Sequence, residues 1–96
     1  MRLTEFEVKM IKKAFQETFQ DGKIYLFGSR VDDTKKGGDI DLYIVPNQKS
    51  DNDREKKIQF LIKLKEYIGE QKIDIIIAKD KDRLIEQEAL RDGIEL

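Results

Sequence analysis

The chain has 96 residues, a length that suits one domain with a single modest core. Its 19 basic and 20 acidic side chains give a net charge of −1, which argues against a protein that coats nucleic acid, since such a protein needs a basic excess. Cysteine and histidine are both absent, which excludes disulfide frameworks, thiolate or imidazole metal sites and histidine-dependent nucleophilic mechanisms. Any metal ion must therefore be held by oxygen ligands, which favours a hard cation such as magnesium, manganese or calcium.

The N-terminal segment predicts an amphipathic helix from about Glu5 to Phe19, because its apolar residues recur at steps of three and four. Thr4 and Glu7 fit a capping box before it, and Asp21-Gly22 is expected to end it. The segment lacks the unbroken apolar core of a signal peptide, and no run in the chain is long enough to cross a bilayer. We therefore expect a cytoplasmic protein without a membrane partner.

Two short runs of β-forming residues follow this helix. Lys23–Phe27 predicts a strand that Gly28 stops, and Asp39–Val45 predicts a second strand that Pro46 closes. A charged loop joins them.

The next segment predicts a second amphipathic helix, from about Ile58 to Ile68, which stops near Gly69. The polar stretch before it offers three candidate N-cap residues: Ser50, Asp51 and Asp53.

The end of the chain predicts a strand and a last helix. Ile73–Ala78 is nearly all apolar, so we expect a central strand covered on both faces. Asp80 or Asp82 is expected to start the helix and Gly93 to end it. The whole order predicts an α/β (α+β) fold, a small mixed sheet flanked by helices, with residues 1–96 as a single domain.

Two carboxylates enter the second predicted strand, where apolar residues would be expected. Asp-x-Asp occurs three times in the chain, and the copies at Asp51 and Asp80 lie in polar surroundings where aspartate is favoured at helix starts. Asp39 and Asp41 differ because an apolar run follows directly. On a strand both would project to one face while Ile40 points into the core, and two adjacent carboxylates need a compensating cation.

Asp74 lies inside the most apolar run of the chain. If the third strand lies beside the second, Asp74 could join Asp39 and Asp41 around one magnesium site with positions left open for water and phosphate. The alternative is a strand-end aspartate paired with a nearby lysine.

The loop after the first strand carries residues that suit phosphate binding. Gly28 would allow backbone amides to approach a ligand, and the Ser29 hydroxyl could hold a phosphate. Arg30, Lys35 and Lys36 could neutralise phosphate charge, although such residues are commonly just solvated. Gly37-Gly38 would let the chain turn back beside the first strand.

Taken together, an apolar strand, Gly28-Ser29, a charged linker, Asp39-Ile40-Asp41 and the later Asp74 resemble the nucleotidyltransferase superfamily that includes DNA polymerase β. The pattern is most similar to its minimal nucleotidyltransferases, short chains often encoded beside a helical HEPN partner. The resemblance covers about residues 24–78, and the tail from Glu88 is also similar to the end of such chains. The linker is slightly shorter than the usual family form, and Gly37-Gly38 stands where an acidic-serine pair is frequent.

The resemblance implies a polymerase β-like fold and a set of residue roles. Gly28, Ser29 and Arg30 would contact a nucleoside triphosphate, expected to be ATP. Asp39 and Asp41 would ligate two Mg²⁺ ions, or Mn²⁺ in their place.

In this scheme Asp74 would complete the metal site and help to deprotonate the attacking hydroxyl. The reaction would be attack of that hydroxyl on the α-phosphate with release of pyrophosphate.

Four hypotheses for the function follow. The first is an antitoxin that transfers AMP to a tyrosine of a HEPN ribonuclease toxin; the second is a non-catalytic module that silences such a toxin by binding it. The third is a nucleotide- or metal-binding regulator that acts alone, and the fourth is a domain whose acidic pattern arose by chance. A homo-oligomer is a separate alternative that the sequence leaves open.

Overall fold

The computed structural model describes residues 1–32, 34, 38–47 and 51–96. The predictions for Lys35, Lys36, Gly37 and Ser50 fall outside these residues. In chain order the elements are α1 (Glu5–Thr18), β1 (Gly22–Phe27), a 3₁₀ turn (Gly28–Val31), β2 (Ile40–Pro46), α2 (Asp53–Ile68), β3 (Ile73–Ile77), α3 (Leu84–Asp92) and β4 (Ile94–Glu95).

The strands form one mixed four-stranded sheet in the order β3-β2-β1-β4. β1 runs antiparallel to both β2 and β4, and β2 runs parallel to β3. The parallel pair is possible because α2 carries the chain back over the sheet between β2 and β3. The predicted α/β fold, a small mixed sheet flanked by helices, is confirmed.

The two faces of the sheet are covered differently. One face packs on α1 and α2 in the main core, where Leu26, Leu42 and Phe60 are fully buried. On the other face Phe27 and Tyr43 pack with Ala89 of α3 in a smaller cluster. Because α3 is only 9 residues long, it covers that face incompletely, and the candidate site lies on this face.

The first helix begins as its sequence predicts. The Thr4 hydroxyl accepts a hydrogen bond from the Glu7 N–H (3.0 Å), and the Glu7 carboxylate accepts one from the Thr4 N–H (2.9 Å). This capping box satisfies two backbone donors that have no partner within the helix. The helix ends at Thr18, slightly before the predicted end.

The prediction that β3 is central is wrong. β3 forms an edge of the sheet, and Asp74 is exposed while Ile76 and Ile77 are only partly buried. An apolar run of this length is compatible with a central strand or with an edge strand beside a helix, so its composition could not decide the position. Because Asp74 is exposed, its carboxylate avoids the desolvation cost that a central strand would impose.

Both predicted N-caps of the later helices also need correction. Asn52, not Asp51 or Asp53, occupies the N-cap of α2, and Arg83, not Asp80 or Asp82, occupies that of α3. Neither N-cap side chain makes a capping hydrogen bond. The predicted ends of these helices are correct, since Gly69 is the C-cap of α2 and Gly93 is that of α3. The sequence patterns did not predict β4, which is two residues long.

Candidate active site

Two of the predicted site residues lie side by side on neighbouring strands. Asp41 on β2 is paired with Phe27 on β1 and with Asp74 on β3, so the three positions form a row across the sheet. Paired positions on adjacent strands project to the same face, here the face of α3. Asp41 is half-buried and Asp74 is exposed.

Asp39 lies just outside the strand in which it was predicted, because β2 begins at Ile40. Ile40 is fully buried in the main core, as expected. The Asp39 carboxylate forms an ion pair with Lys72, whose Nζ is 3.6 Å from Oδ2. The alternative interpretation of Asp74, a strand-end aspartate paired with a lysine, required a lysine beside Asp74. Lys72 pairs with Asp39 instead.

The carboxylates in this region act on one another. Burial raises the pKa of the Asp41 carboxyl, and the negative charges of Asp74, Asp39 and Glu88 raise it further. A shift with these causes means that Asp41 carries its charge at a cost, which a bound cation would relieve. The donor set is oxygen-only and suits a hard divalent cation in chemistry.

The side chains are nevertheless not drawn together around one point. Among the described residues, which include Asp39, Asp41 and Asp74, no group of three acidic side chains is arranged to hold a metal ion. The oxygen donors suit magnesium, and Asp41 and Asp74 lie on the same face of the sheet. Binding would require the carboxylates to move closer together.

Glu88 on α3 belongs to the same acidic group, and the sequence analysis assigned it no role. It lines a cleft of about 650 Å³ together with Gly28, Asp41 and Asp74. The only signal available from sequence was its position in the tail that resembles the end of minimal nucleotidyltransferases. Periodicity could not indicate which face of α3 turns toward the sheet.

Gly28 is required by its contact with Asp41. Its φ is +76°, a conformation that L side chains rarely adopt, and a Cβ atom placed there would lie 2.3 Å from Asp41 Oδ2. The glycine therefore allows the turn after β1 to pass directly against the carboxylate.

The turn that follows is held by the N-terminal arm of the chain. The Arg2 guanidinium donates hydrogen bonds to the carbonyls of Ser29 (3.0 Å) and Asp32 (3.0 Å), and the Arg2 N–H donates to the Arg30 carbonyl (2.7 Å). In return the Arg30 guanidinium donates to the carbonyls of Arg2 (2.9 Å) and Gly38 (3.3 Å). Arg30, predicted to contact nucleotide, thus has two of its donors engaged by backbone carbonyls.

Ser29 lies close to the far end of the loop. Gly38 has a φ of +92°, and a Cβ atom there would lie 2.2 Å from the Ser29 hydroxyl oxygen. The predicted turn is therefore supported at Gly38, which allows the serine side chain to lie against the backbone.

Lys57 of α2 is the one basic residue that lines the acidic cleft in the part of the chain that the structure describes. It is half-buried, and it also lines a second cleft of about 710 Å³ along β3. The two clefts share Lys57, Ile75 and Ile76, so they lie next to each other.

A second buried carboxylate supports this face without entering the cleft. Glu86 of α3 is fully buried and accepts hydrogen bonds from the Tyr43 hydroxyl (2.8 Å), the Asp80 N–H (2.9 Å) and the Arg83 guanidinium (3.2 Å). Burial would raise the pKa of Glu86, but the hydrogen bonds from Asp80, Tyr43 and Lys79 and the charge of Arg83 outweigh it, and the net pKa is lowered. The network fixes α3 against β2 and thereby the position of Glu88.

A mixed sheet that carries carboxylates on two adjacent strands, with a glycine turn packed against one of them, is the arrangement expected of a nucleotidyltransferase-type domain. The family model described as "Polymerase beta, Nucleotidyltransferase" matches residues 9–96, and the chain belongs to this family. Proteins of this family generally use divalent metal ions and bind nucleoside triphosphates. A comparison with curated proteins gave no significant match. In the part of the chain that the structure describes, every helix is too short or too polar to cross a membrane.

Proposed function

We propose that this chain is a minimal nucleotidyltransferase that transfers AMP from ATP to a hydroxyl group of a partner protein. In the particular form that we favour, the partner is a small helical HEPN toxin and the chain is its antitoxin. The observation that carries the proposal is the pairing of Asp41 with Asp74 on adjacent strands, with Gly28 packed against the Asp41 carboxylate.

In this proposal the residues have the following roles. Gly28, Ser29 and Arg30 form the turn beside Asp41 and would contact the triphosphate. Asp39, Asp41 and Asp74 would hold Mg²⁺, with Mn²⁺ as a substitute. When bound, these ions neutralise phosphate charge and stabilise the entering and leaving oxygens.

The reaction then balances without a further co-reactant. The acceptor oxygen forms a bond to the α-phosphorus, the bond between that phosphorus and the α–β bridging oxygen breaks, and pyrophosphate leaves. Asp74 is exposed at the edge of the sheet, which suits it to accept the proton of the attacking hydroxyl. The absence of histidine from the chain makes a carboxylate the natural base.

A second candidate is a non-catalytic antitoxin that neutralises its partner by binding alone. Two observations favour it: Asp39 is paired with Lys72, and no three acidic side chains among the described residues are arranged around a metal. In this case the acidic site would be idle.

Transfer of label from ATP distinguishes the two candidates. ATP labelled at the α- or the γ-phosphate is incubated with Mg²⁺, the chain and a co-expressed neighbouring protein or host lysate. Nucleotidyl transfer predicts that the α-label, and not the γ-label, becomes attached to a protein.

The paired variants for this experiment are Asp39→Asn/Asp41→Asn and Asp80→Asn/Asp82→Asn. Both remove an Asp-x-Asp pair, but Asp80 and Asp82 line neither cleft. Transfer should be lost only in the first variant. If no label moves while the chain still co-purifies with a helical partner, the binding antitoxin is the correct function.

A further inference from the structure

The cleft along the free edge of β3 has the chemistry of a peptide-docking site. β3 runs parallel to β2, with Ile77 paired with Ile44. At the two ends of the pair, the Ala78 N–H donates to the Ile44 carbonyl (2.9 Å) and the Ile40 N–H donates to the Lys72 carbonyl (3.0 Å). The backbone groups of the even-numbered residues along β3 therefore form the hydrogen bonds to β2. The N–H and C=O groups of Ile75 and Ile77 therefore point away from the sheet. Among the described strands, none lies on that side.

Natural sheets commonly protect such an edge with charged side chains, proline or a bulge. In β3, Ile-Asp-Ile-Ile-Ile, Asp74 is the one charged residue, and the part from Ile75 to Ile77 has neither a charge nor a proline. Instead a cleft of about 710 Å³ lies along Ile75–Ala78, between the start of α2 and the segment before α3. The unpaired backbone thus faces an open groove.

The rim of this groove carries more positive than negative charge. Four basic residues line it, against two acidic ones: Arg54, Lys57, Lys79 and Arg83, against Asp51 and Asp53. Arg83 is engaged by Glu86 (3.2 Å), whereas Arg54 is exposed and forms no ion pair within the part of the chain that the structure describes. An occupant with acidic side chains would complement this rim.

The lining also distinguishes between an extended peptide and a single-stranded nucleic acid. Proteins that bind single strands stack the bases on aromatic side chains. The described residues that line this groove include no aromatic residue, and its floor is Ile75, Ile76, Ile77 and Ala78. An unpaired strand edge with apolar side chains is instead the surface that takes up an added β-strand.

The groove lies on the correct side of the site for the acceptor. The turn that starts at Gly28 ends β1, Asp41 lies in β2, and Asp74 lies in β3 on the far side. In phosphoryl transfer the attacking and leaving oxygens lie roughly in line on opposite sides of the phosphorus. A triphosphate whose terminal phosphates contact the Gly28 turn would therefore be attacked from the side of β3, where Lys57 lines both the groove and the acidic cleft.

We infer that the acceptor protein docks through an extended, acidic segment that pairs with the free edge of β3 and directs its hydroxyl toward Asp74. The inference rests on the proposed function for the identity of the hydroxyl, but the docking itself can be measured without catalysis.

The binding experiment uses fluorescently labelled ten-residue peptides with a central tyrosine. One alternates valine with aspartate, a second alternates valine with lysine, and an oligonucleotide of the same charge as the first serves as the nucleic-acid probe. Fluorescence anisotropy measures binding, and amide hydrogen exchange reports the N–H groups of Ile75 and Ile77. We expect the acidic peptide to bind best and to protect both amides.

The variant Arg54→Glu should weaken binding of the acidic peptide by roughly tenfold. Lys12→Glu makes the same reversal of sign at an exposed position of α1 that lines neither cleft, and it should leave binding unchanged. Both positions are exposed, so neither change should prevent folding.

Two outcomes would overturn the inference. One is a failure of the acidic peptide to bind or to protect Ile75 and Ile77; the other is binding of the oligonucleotide in its place. Asp41→Asn separates this result from the proposed function, because that variant should lose transfer and keep peptide binding. If the wild type binds the peptide and yet no protein acceptor is ever labelled, the docking site stands and the transferase function fails.

Discussion

Asp41 and Asp74 occupy paired positions on two parallel strands, so two carboxylates face the same cleft from adjacent strands. Like charges that face each other on adjacent strands repel, by an amount comparable in size to the roughly 0.2–1 kcal/mol of an exposed attractive pair. The burial of Asp41 adds to this cost and raises its pKa. Two carboxylates arranged in this way would be stabilised by a bound cation.

The first prediction concerns Mg²⁺ and the stability of this pair. Asp41→Asn should raise the free energy of unfolding in metal-free buffer by roughly 0.2–1 kcal/mol, because a repulsive charge is removed. Thermal denaturation with and without Mg²⁺ provides the measurement. Mg²⁺ should raise the melting temperature of the wild type and have little effect on the variant.

Asp82→Asn serves as the control for this measurement, since Asp82 is exposed and lines neither cleft. It should respond to Mg²⁺ as the wild type does. An equal Mg²⁺ response in Asp41→Asn and the wild type would contradict a metal site at Asp41.

The second prediction concerns Gly28. Gly28→Ala should lower the free energy of unfolding by about 1–2 kcal/mol because of its left-handed φ. It should also displace the Asp41 carboxylate, which lies 2.3 Å from the added Cβ position. Mg²⁺ affinity and nucleotidyl transfer should fall by roughly tenfold or more.

Gly69→Ala is a matched control, because Gly69 has a φ of +88° and nothing within 4 Å of its Cβ position. Its ψ of −175° places it in a region almost confined to glycine, so Gly69→Ala should lower stability at least as much, without any effect on Mg²⁺ binding. The interpretation of Gly28 fails if both variants lose Mg²⁺ affinity equally, or if neither does.

The third prediction concerns the two arginines that hold the turn. Arg2→Gln should reduce stability by about 1–2 kcal/mol, because its bonds to the carbonyls of Ser29 and Asp32 are weakened. Arg30→Gln should have a comparable effect through the carbonyls of Arg2 and Gly38. Chemical denaturation measures both changes.

Nucleotide affinity then separates the two residues. If Arg30 also contacts the triphosphate, Arg30→Gln should weaken ATP binding several-fold more than Arg2→Gln does. Equal losses of ATP affinity would assign Arg30 a role in supporting the turn alone.

The fourth prediction concerns the buried Glu86 and the dependence of stability on pH. The net pKa of Glu86 is lowered in the folded chain, so the folded state favours the carboxylate. The resulting stability is fully present above the unfolded pKa of a glutamate, about 4.3, and is lost as the pH falls through the folded pKa. Glu86→Gln should lower the free energy of unfolding at neutral pH by about 1–3 kcal/mol and flatten this acid limb.

Tyr43→Phe tests the same network from the donor side. Burial raises the pKa of the Tyr43 hydroxyl, and the hydrogen bond to Glu86 raises it further, so this group stays protonated and donating at neutral pH. Its removal should cost about 0.5–1.5 kcal/mol. An unchanged acid limb in Glu86→Gln would show that other carboxylates govern the acid unfolding.

Much of the fold was predictable because its signals are local. The capping box at Thr4, the glycine stops after α2 and α3, and the apolar periods of the helices depend on residues a few positions apart. The predicted N-caps of α2 and α3 were wrong, because several polar residues that could act as caps precede each helix. Which of them occupies the cap depends on where the packed helix begins.

The candidate site was predictable in part for the same reason. Asp39, Asp41 and Asp74 are anomalies within or beside strand patterns, and such anomalies are visible in the sequence. The sequence did not predict roles for Glu88, Lys57 and Arg2. Each is a charged residue on an amphipathic or polar segment, where charged residues are ordinarily solvated. Their proximity to the cleft or to its turn arises from contacts between distant parts of the chain.

The sequence by itself determined the classes of chemistry that this chain can perform. Without cysteine or histidine, any metal ion must be held by oxygen ligands, and Asp-Ile-Asp before an apolar run is the pattern from which we predicted such ligands. Only the tertiary structure decided that Asp74 pairs with Asp41, that β3 lies at an edge and that its groove lies next to the acidic cleft. The physical reason is that the alternation of side chains along a strand depends only on neighbouring residues. Strand order and register depend instead on how α1, α2 and α3 cover the two faces of the sheet.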